Sequence, residues 1–337
     1  MEILQNQLLA NYTTSKIGGR VRWMCFPSST QEIIESIKFC VRSRLPFFIL
    51  AGGSNTIFQD RNLVFRQAVI NLTKLDHFQV LDGLGFSILE FEPGVRLQKL
   101  VDMAQQLHLK GVSSLNRIPG TIGGATIGNA GAYGAEIGSV IEAVECIDIE
   151  ELVRKVMFEQ DFILSDLTHK LGRDDCQFRY RQSYFKDRSN LLVTRIWVKL
   201  TKSVDFDEEK LNYAKIAKQR DAVYPVGFVS PGSVFKNVLI KDLTPDVLAK
   251  IKPEWVVYNE KIPVAKLLES VGSKTLRIGG ISMRESHANI MINHGGAQFS
   301  DVIGLITELK QRVKQKFEIE IEPEIRLVSA DFSQFRH

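Results

Sequence analysis

The chain has few of the features that mark membrane, secreted or nucleic-acid-binding proteins. No stretch approaches the roughly 18 consecutive apolar residues that a membrane-spanning helix needs. The opening MEILQNQLLANYTTSKIGGR lacks the basic start, long apolar run and small-residue cleavage site of a signal peptide. The net charge is only +4, and no block of like charge marks a nucleic-acid-binding arm. We therefore expect a cytoplasmic protein whose partners are neither membranes nor nucleic acids.

Cysteine is also scarce, and its placement argues against metal or disulfide chemistry. The sequence contains four cysteines, none in a CxxC pair and none with a histidine close by. Zinc sites and disulfide-stapled domains need such clusters. We expect no metal and four ordinary thiols, and nothing around them favours a catalytic cysteine. The four are Cys25, Cys40, Cys146 and Cys176.

The rest of the composition is typical of a soluble globular chain of two or three domains. Of 337 residues, 44% are hydrophobic and 24% are charged. Helices and strands are mingled without regular βαβ alternation, which favours an α+β fold over a doubly wound sheet. The predicted helices are 31–44, 96–107, one within 202–220, and 301–317, and the predicted strands are 47–50, 63–72, 86–92, 191–200 and 318–328.

Two glycine-rich segments are the most informative part of the sequence. AGGSN follows the strand 47–50, and IPGTIGGATIGNAGAYGAEIG at 118–138 holds seven of the 24 glycines. Glycine lets the backbone approach a ligand closely and frees amides to face phosphate oxygens. The short segment alone is more typical of a tight turn, whereas the long one has too many glycines for an ordinary helix or strand. Neither matches GxGxxG or a P-loop, so we expect a dinucleotide site of another kind.

Six sequence motifs follow one another along most of the chain. They are AGGSN at 51–55, IPGTIGGATIGNAGAYG at 118–134, FRYRQSYFK at 178–186, SPGSVFKN at 230–237, RIGGISMRESHANIMIN at 277–293 and IEPEIR at 321–326. In this order they resemble the family of UDP-N-acetylenolpyruvoylglucosamine reductase, from about Tyr12 to Val328. One such motif would be weak evidence, whereas six in the same order are specific.

The resemblance implies a fold and a reaction. The fold is the FAD-binding fold of the vanillyl-alcohol-oxidase type, an α+β arrangement with two FAD-binding domains and a third that covers the substrate. The implied bounds are 1–72 (with 328–337 returning to it), 73–201, and 202–327 for the substrate-binding domain. The implied enzyme, a monomeric UDP-N-acetylmuramate dehydrogenase, uses NADPH to reduce UDP-N-acetylglucosamine-enolpyruvate to UDP-N-acetylmuramate during peptidoglycan precursor synthesis. The short stretch before Ser233 resembles the subtype that lacks an inserted tyrosine loop.

The resemblance also assigns the two glycine-rich segments to FAD. Neither contains a histidine, so FAD is expected to bind without a covalent bond. Arg117 stands where many relatives carry glycine, which leaves its effect on the flavin pocket open. The implied FAD-binding residues are Gly52, Gly53, Ser54, Asn55, Pro119, Gly120, Thr121, Gly123, Gly124, Asn129, Gly131, Ala132, Tyr133 and Gly134.

The implied reaction sets the demands on the catalytic residues. Hydride adds to the methylene carbon of the enolpyruvyl group, so negative charge develops on the neighbouring carbon and spreads into the carboxylate. A fixed cation would stabilise that charge, and a proton donor must reach the carbanionic carbon. The motif match assigns the cation to Arg181, the proton donor to Ser233, and orientation or polarisation of the enolpyruvyl group to Glu324.

Without the resemblance, each of these residues has an ordinary explanation. Arg181 lies in a basic stretch typical of a surface, and Ser233 follows Pro-Gly as turn serines do. From 318 to 327 charged and apolar residues alternate, so periodicity cannot choose among four glutamates on one face. The motif selects Glu324 and assigns Arg326, on the same face, to anionic substrate contacts. Weaker substrate-binding candidates are Tyr180, Asn237 and His287, the last equally well explained as a structural histidine.

Two other functions stay open at this point. One is a different flavin enzyme of the same fold, such as an alcohol or lactone oxidase, which would be reduced by an alcohol rather than by NADPH. The other is a non-catalytic sugar-nucleotide-binding module, which would stay colourless after FAD is added. The combination of Arg181, Ser233 and Glu324 favours the reductase.

Overall fold

The structure is a computed structural model that describes residues 1–60, 64–225, 227–256 and 260–329. The chain divides into two compact units. The first unit comprises Met1–Gln7, Val21–Gly52 and Arg66–Ala222, and the second comprises Leu8–Arg20, Gly53–Phe65 and Val223–His337. The three-domain bounds expected from the sequence stay a prediction.

Strands and α-helices are interspersed along the described residues. The strands are β1 Glu2–Leu8, β2 Arg20–Phe26, β3 Phe47–Leu50, β4 Thr56–Phe58, β5 Val64–Asn71, β6 Phe78–Asp82, β7 Phe86–Phe91, β8 Leu109–Lys110, β9 Gly131–Ala132, β10 Ala135–Glu136, β11 Ile141–Asp148, β12 Thr168–Gly172, β13 Leu191–Lys202, β14 Val238–Leu239, β15 Lys261–Ile262, β16 Arg277–Ile278, β17 Ile281–Arg284, β18 His287–Asn293 and β19 Arg326–Val328. The helices are α1 Thr30–Arg42, α2 Leu97–Gln106, α3 Ile122–Gly128, α4 Ile149–Met157, α5 Tyr184–Asp187, α6 Phe206–Val223, α7 Pro245–Leu248, α8 Val264–Ser270 and α9 Phe299–Phe317.

The first unit contains two sheets, each with its own hydrophobic core. The smaller sheet has the order β1-β2-β5-β3, and its core includes the apolar faces of α1 and α4. Helix α1 begins where the Ser29 hydroxyl accepts a hydrogen bond from the Glu32 amide, and it buries Ile33, Ile34 and Ile37 as the helical spacing predicts. The larger sheet has the order β12-β11-β13-β7-β6, with β8 beside β13, and its core takes in α2 and α3.

The second unit is built around α9 and the antiparallel sheet β16-β17-β18. Helix α9 buries an apolar stripe that includes Val302, Leu305, Leu309 and Val313, whose spacing of three or four residues is that of one helical face. The short strands β4 and β19 pair in parallel, so residues far apart in the sequence are joined in this unit. This pairing positions the IEPEIR motif.

Most of the predicted elements are confirmed, and one strand is largely wrong. The α+β class is confirmed, as are the helices α1, α2, α6 and α9 and the strands β3, β5, β7 and β13, although residue 63 lies outside the described residues. The predicted strand 318–328 reduces to β19, because Glu318 ends α9 in a left-handed conformation with φ 60°. Its alternation is real nonetheless: Ile319, Ile321 and Ile325 are buried.

Candidate active site

The first glycine-rich segment is a turn that only glycine can make. Gly53 has φ 61°, and a Cβ on it would lie 1.9 Å from the Tyr12 carbonyl oxygen. The Thr14 amide donates to the Gly53 carbonyl over 3.2 Å, and the Thr14 hydroxyl donates to the Ser54 carbonyl over 3.2 Å. The loop is therefore held tightly along its inner side by residues 12–14.

The second glycine-rich segment contains a short helix, α3, which the sequence did not predict. The Thr121 hydroxyl caps it by accepting from the Gly124 amide over 3.3 Å. Gly123 is required by packing, since a Cβ there would lie 2.6 Å from the Pro93 side chain. Gly124 and Gly128 are four residues apart and share a face. A Cβ on Gly128 would meet nothing within 4 Å, and one on Gly124 only the Thr121 hydroxyl at 3.6 Å, so packing within the described chain does not explain these two glycines.

Asn129 ends α3 and connects the glycine-rich segment to the FRYRQSYFK motif. It is buried, has φ 43°, and its amide donates to Glu136 and to the Arg179 carbonyl over 2.6 and 2.8 Å. Its side-chain oxygen accepts from the Gly138 amide over 2.9 Å. The Asn129 side chain therefore fixes the protein backbone here, while its predicted contact with FAD stays a prediction.

Arg181 is held beside the same glycine-rich segment. It has φ 55°, a left-handed conformation that costs a residue with a side chain about 1–2 kcal/mol. Its guanidinium donates to the Gly131 carbonyl over 2.9 Å and lies 5.3 Å from the centre of the Tyr180 ring, and its own carbonyl accepts from Lys186 over 2.8 Å. The side chain is half-buried rather than on an open surface, which places a fixed cation against the first unit's glycine-rich segment.

Ser233 and Glu324 lie on neighbouring segments of the second unit. Ser233 forms an antiparallel bridge with Ile290 of β18. On the other side of the same segment, the Glu324 amide donates to the Val234 carbonyl over 2.7 Å, and Phe235 bridges Pro323. The segment 233–235 therefore lies between β18 and the IEPEIR motif.

The structure distinguishes Glu324 from the other three glutamates of its face. Glu318, Glu320 and Glu322 are exposed, whereas Glu324 is half-buried. Its backbone is held twice, by Val234 and by the Asn55 side chain, which donates to the Glu324 carbonyl over 2.9 Å. Glu324 is therefore less exposed than the other three glutamates, and the role that the motif assigns to it stays a prediction.

Three candidate substrate-binding residues of the second unit differ in what holds them. The Asn237 side-chain oxygen accepts from the Val264 amide over 3.1 Å. Burial lowers the pKa of His287, whose Nδ1 lies 3.3 Å from the Asn289 amide, so this histidine is neutral at pH 7. Restricted hydration lowers the pKa of the Arg326 guanidinium, although solvent still reaches its side chain; arginine nevertheless stays charged.

Asn289 is a positioning residue that the sequence analysis missed. It is buried, its side-chain oxygen accepts from the Phe235 amide over 3.0 Å, and its side-chain amide donates to the Phe235 carbonyl over 2.8 Å. It therefore pairs with the backbone two residues beyond Ser233. The available signal was an amide side chain placed between the apolar residues Ala288 and Ile290 of β18.

Arg117 has a backbone conformation that favours glycine. It has φ 63°, a conformation that glycine adopts without strain. Its amide donates to Gln98 over 2.9 Å, its carbonyl accepts from Arg220 over 3.2 Å, and its guanidinium lies 3.4 Å from Asp221. These contacts hold the backbone at the entrance to the glycine-rich segment.

Among the described residues, no helix is long and apolar enough to cross a membrane. No group of three or more His, Cys, Asp or Glu residues in the described ranges could hold a metal ion.

All four cysteines are buried, free thiols, and burial raises the pKa of each, that of Cys25 to about 11. Thiols with such pKa values are poor nucleophiles at neutral pH.

Two family models match the chain. The model described as "FAD binding domain" matches residues 22–155, and the one described as "UDP-N-acetylenolpyruvoylglucosamine reductase, C-terminal domain" matches residues 224–328. Together they cover both glycine-rich segments and the residues from Ser233 to Arg326. The matched regions therefore include most of the motifs on which the resemblance rests.

Curated enzymes named UDP-N-acetylenolpyruvoylglucosamine reductase are similar to this chain over nearly its full length. The UDP-N-acetylenolpyruvoylglucosamine reductase of Aquifex aeolicus is 32% identical, over 99% of this chain and 97% of its own. That of Thermotoga maritima is 32% identical, over 95% and 96%. The crystal structure of the Thermus caldophilus enzyme matches with a TM-score of 0.66 at 24% identity, over 97% of this chain and 98% of that one, which supports the fold. The chain therefore belongs to the UDP-N-acetylenolpyruvoylglucosamine reductase family and is an FAD-dependent oxidoreductase with the α+β fold of the vanillyl-alcohol-oxidase type.

Proposed function

We propose that this chain uses NADPH to reduce the enolpyruvyl ether of UDP-N-acetylglucosamine-enolpyruvate to UDP-N-acetylmuramate, a step of peptidoglycan precursor synthesis. The observation that carries the proposal is the pairing of the Ser233 segment with the Glu324 segment, whose backbones are joined over 2.7 Å. A weak acid and a carboxylate fixed on adjacent segments suit a reaction that makes and then protonates a carbanion next to a carboxylate.

The glycine-rich segments would hold FAD. Gly124 and Gly128 leave one face of α3 bare of side chains, which suits close approach of a planar ring or pyrophosphate. The implied contacts run from Gly52 to Asn55 and from Pro119 to Gly134, and no histidine there could form a covalent bond. FAD held there would supply the redox chemistry, a carrier of hydride between NADPH and the enolpyruvyl group.

Arg181 would stabilise the charge that develops on the substrate. Its guanidinium stays protonated and presents a planar fork that matches a carboxylate. The bond to Gly131 and the strained backbone fix its direction before substrate binds, so little reorganisation is needed during the reaction.

Ser233 would give its hydroxyl proton to the carbanionic carbon, while Glu324 orients or polarises the enolpyruvyl group. A serine hydroxyl is a weak acid, so it can serve only a strongly basic acceptor at close range. Its bridge to Ile290 and the Val234–Glu324 bond supply the necessary rigidity.

The remaining candidates would bind the substrate rather than react with it. Arg326 stays charged despite restricted hydration, which suits an anionic nucleotide. His287 is neutral at pH 7 and would donate or accept a hydrogen bond without adding charge. Tyr180 and Asn237 complete the set of proposed substrate contacts.

We also propose that the protein is a cytoplasmic monomer with domains 1–72, 73–201 and 202–327, the segment 328–337 returning to the first. Four free, buried thiols fit a reducing compartment. A sedimentation experiment at several protein concentrations would test the monomer.

The proposed reaction is tested by following the absorbance of the purified flavoprotein without oxygen. Addition of NADPH should bleach the flavin, and UDP-N-acetylglucosamine-enolpyruvate should restore its colour with one UDP-N-acetylmuramate formed per flavin. Bleaching by an alcohol but not by NADPH would instead establish an oxidase of the same fold. A protein that stays colourless with added FAD would establish a binding module.

A further inference from the structure

Asn55 joins the first glycine-rich segment to the IEPEIR motif through two opposed hydrogen bonds. Its side-chain amide donates to the Glu324 carbonyl over 2.9 Å, and its main-chain carbonyl accepts from the Arg326 amide over 2.8 Å. The pairing of β4 with β19 begins at the next residue, where Thr56 is opposite Arg326. Asn55 therefore forms hydrogen bonds with the backbone on both sides of Ile325.

These two hydrogen bonds fix the direction of the two polar side chains that flank Ile325. The Ile325 side chain is buried, so the peptide units on either side of it set where Glu324 and Arg326 project. The segment before them, 318–322, belongs to no strand, and the Glu324 amide also donates a hydrogen bond to the Val234 carbonyl. Without the Asn55 side-chain amide, the Glu324 carbonyl would lose this hydrogen bond, and the backbone between Glu324 and Ile325 would be less constrained.

We infer that Asn55 is a positioning residue for Glu324 and Arg326, acting on the substrate side of the reaction in addition to its expected place in the FAD-binding loop. The inference rests on the proposed roles of those two residues. The Asn55 side chain holds the Glu324 carbonyl, and the Asn55 main-chain carbonyl holds the Arg326 amide, so one loop residue sets the directions of the carboxylate and the guanidinium.

Two substitutions and a matched control test the inference. Asn55→Ala removes the donor, and Asn55→Asp keeps the shape but places a carboxylate oxygen against the Glu324 carbonyl oxygen. Thr14→Val is the control, because it removes a different side-chain bond to the same loop, that from Thr14 to the Ser54 carbonyl, and touches neither Glu324 nor Arg326.

The first readout is amide hydrogen exchange of the peptide 319–328 in the protein without substrate. Because one hydrogen bond is lost, exchange should be roughly threefold to tenfold faster in Asn55→Ala, faster still in Asn55→Asp, and unchanged in Thr14→Val. Equal exchange in all three variants and the parent protein would overturn the inference. This readout needs no turnover, so it stands even if the proposed reaction is wrong.

The second readout separates the two half-reactions at saturating FAD. In Asn55→Asp, reoxidation by UDP-N-acetylglucosamine-enolpyruvate should slow at least tenfold more than reduction by NADPH does, whereas in Thr14→Val the two half-reactions should change by the same factor to within about threefold. Equal slowing of both half-reactions, or weakened FAD binding with normal reoxidation, would show that Asn55 serves only the flavin loop and would contradict the inference.

Discussion

The Glu324 amide donates to the Val234 carbonyl over 2.7 Å, and Val234 is the residue directly after Ser233. The proposed proton donor and the proposed orienting carboxylate are therefore tied through one backbone bond rather than placed on independent loops. Rigid placement of this kind matters because errors of about 1 Å in a reacting group can cost about 100-fold in rate.

Glu324 should be far more important for the reaction than its neighbour on the same face. Glu324→Gln should slow flavin reoxidation by substrate about 10²- to 10³-fold, as the loss of a preorganised polar group does. Glu322→Gln is the control, because Glu322 is exposed and its carboxylate forms a surface ion pair with Lys236. Stopped-flow absorbance measures both. Equal effects would mean that burial has not identified the functional glutamate.

Asn289 should contribute strongly to stability. Asn289→Ala leaves the buried Phe235 amide and carbonyl without their side-chain partner, at a cost of about 2–5 kcal/mol in the free energy of unfolding. Asn190→Ala, which removes only a 3.4 Å bond to Asp148, should cost less than about 1 kcal/mol. Urea denaturation compares them, and similar losses would contradict the structural role of Asn289.

The strained backbone at Arg117 predicts an order among substitutions. Arg117→Gly relieves the cost of φ 63° and loses an exposed ion pair that contributes little, so stability should be retained. Arg117→Val should be less stable than Arg117→Gly by about 1–2 kcal/mol, because a β-branched residue tolerates this conformation poorly. Thermal unfolding of the two variants side by side measures the difference; a valine variant as stable as the glycine variant would show that the backbone at Arg117 is not strained.

His287 should make stability depend on pH below neutrality. Burial lowers its pKa in the folded protein, so the unfolded chain takes up the proton first as the pH falls below the ordinary value of about 6.5. The associated stability is present above that pH and is lost toward the lowered pKa. The parent protein should therefore lose more stability between pH 7.5 and 5 than His287→Gln, as measured by denaturant midpoints. Parallel losses would show that His287 does not titrate as described.

The sequence could predict the elements whose apolar periodicity is long, such as α1 and α9. It could not predict α3, because seven glycines in the surrounding segment argue against any helix, and tertiary contacts such as that of Gly123 with Pro93 override the local preference.

The sequence likewise identified some residues of the candidate site and missed others. The motifs selected Arg181, Ser233 and Glu324, whereas periodicity left four glutamates equivalent. The fold adds a physical difference, since Glu324 is less exposed than the other three and its backbone bonds to segments about 90 and 270 residues away in the sequence. Asn289 was missed for the same reason: its partner is a distant backbone.

The most direct test of the account is Ser233→Ala, measured in each half-reaction without oxygen. Reduction of the flavin by NADPH needs no proton from Ser233 and should change little. Reoxidation by UDP-N-acetylglucosamine-enolpyruvate should slow about 10²- to 10⁴-fold, the usual contribution of general-acid catalysis, with partial recovery in Ser233→Cys if its sulfur fits. If Ser233→Ala slows both half-reactions equally, Ser233 is a turn residue and not the proton donor.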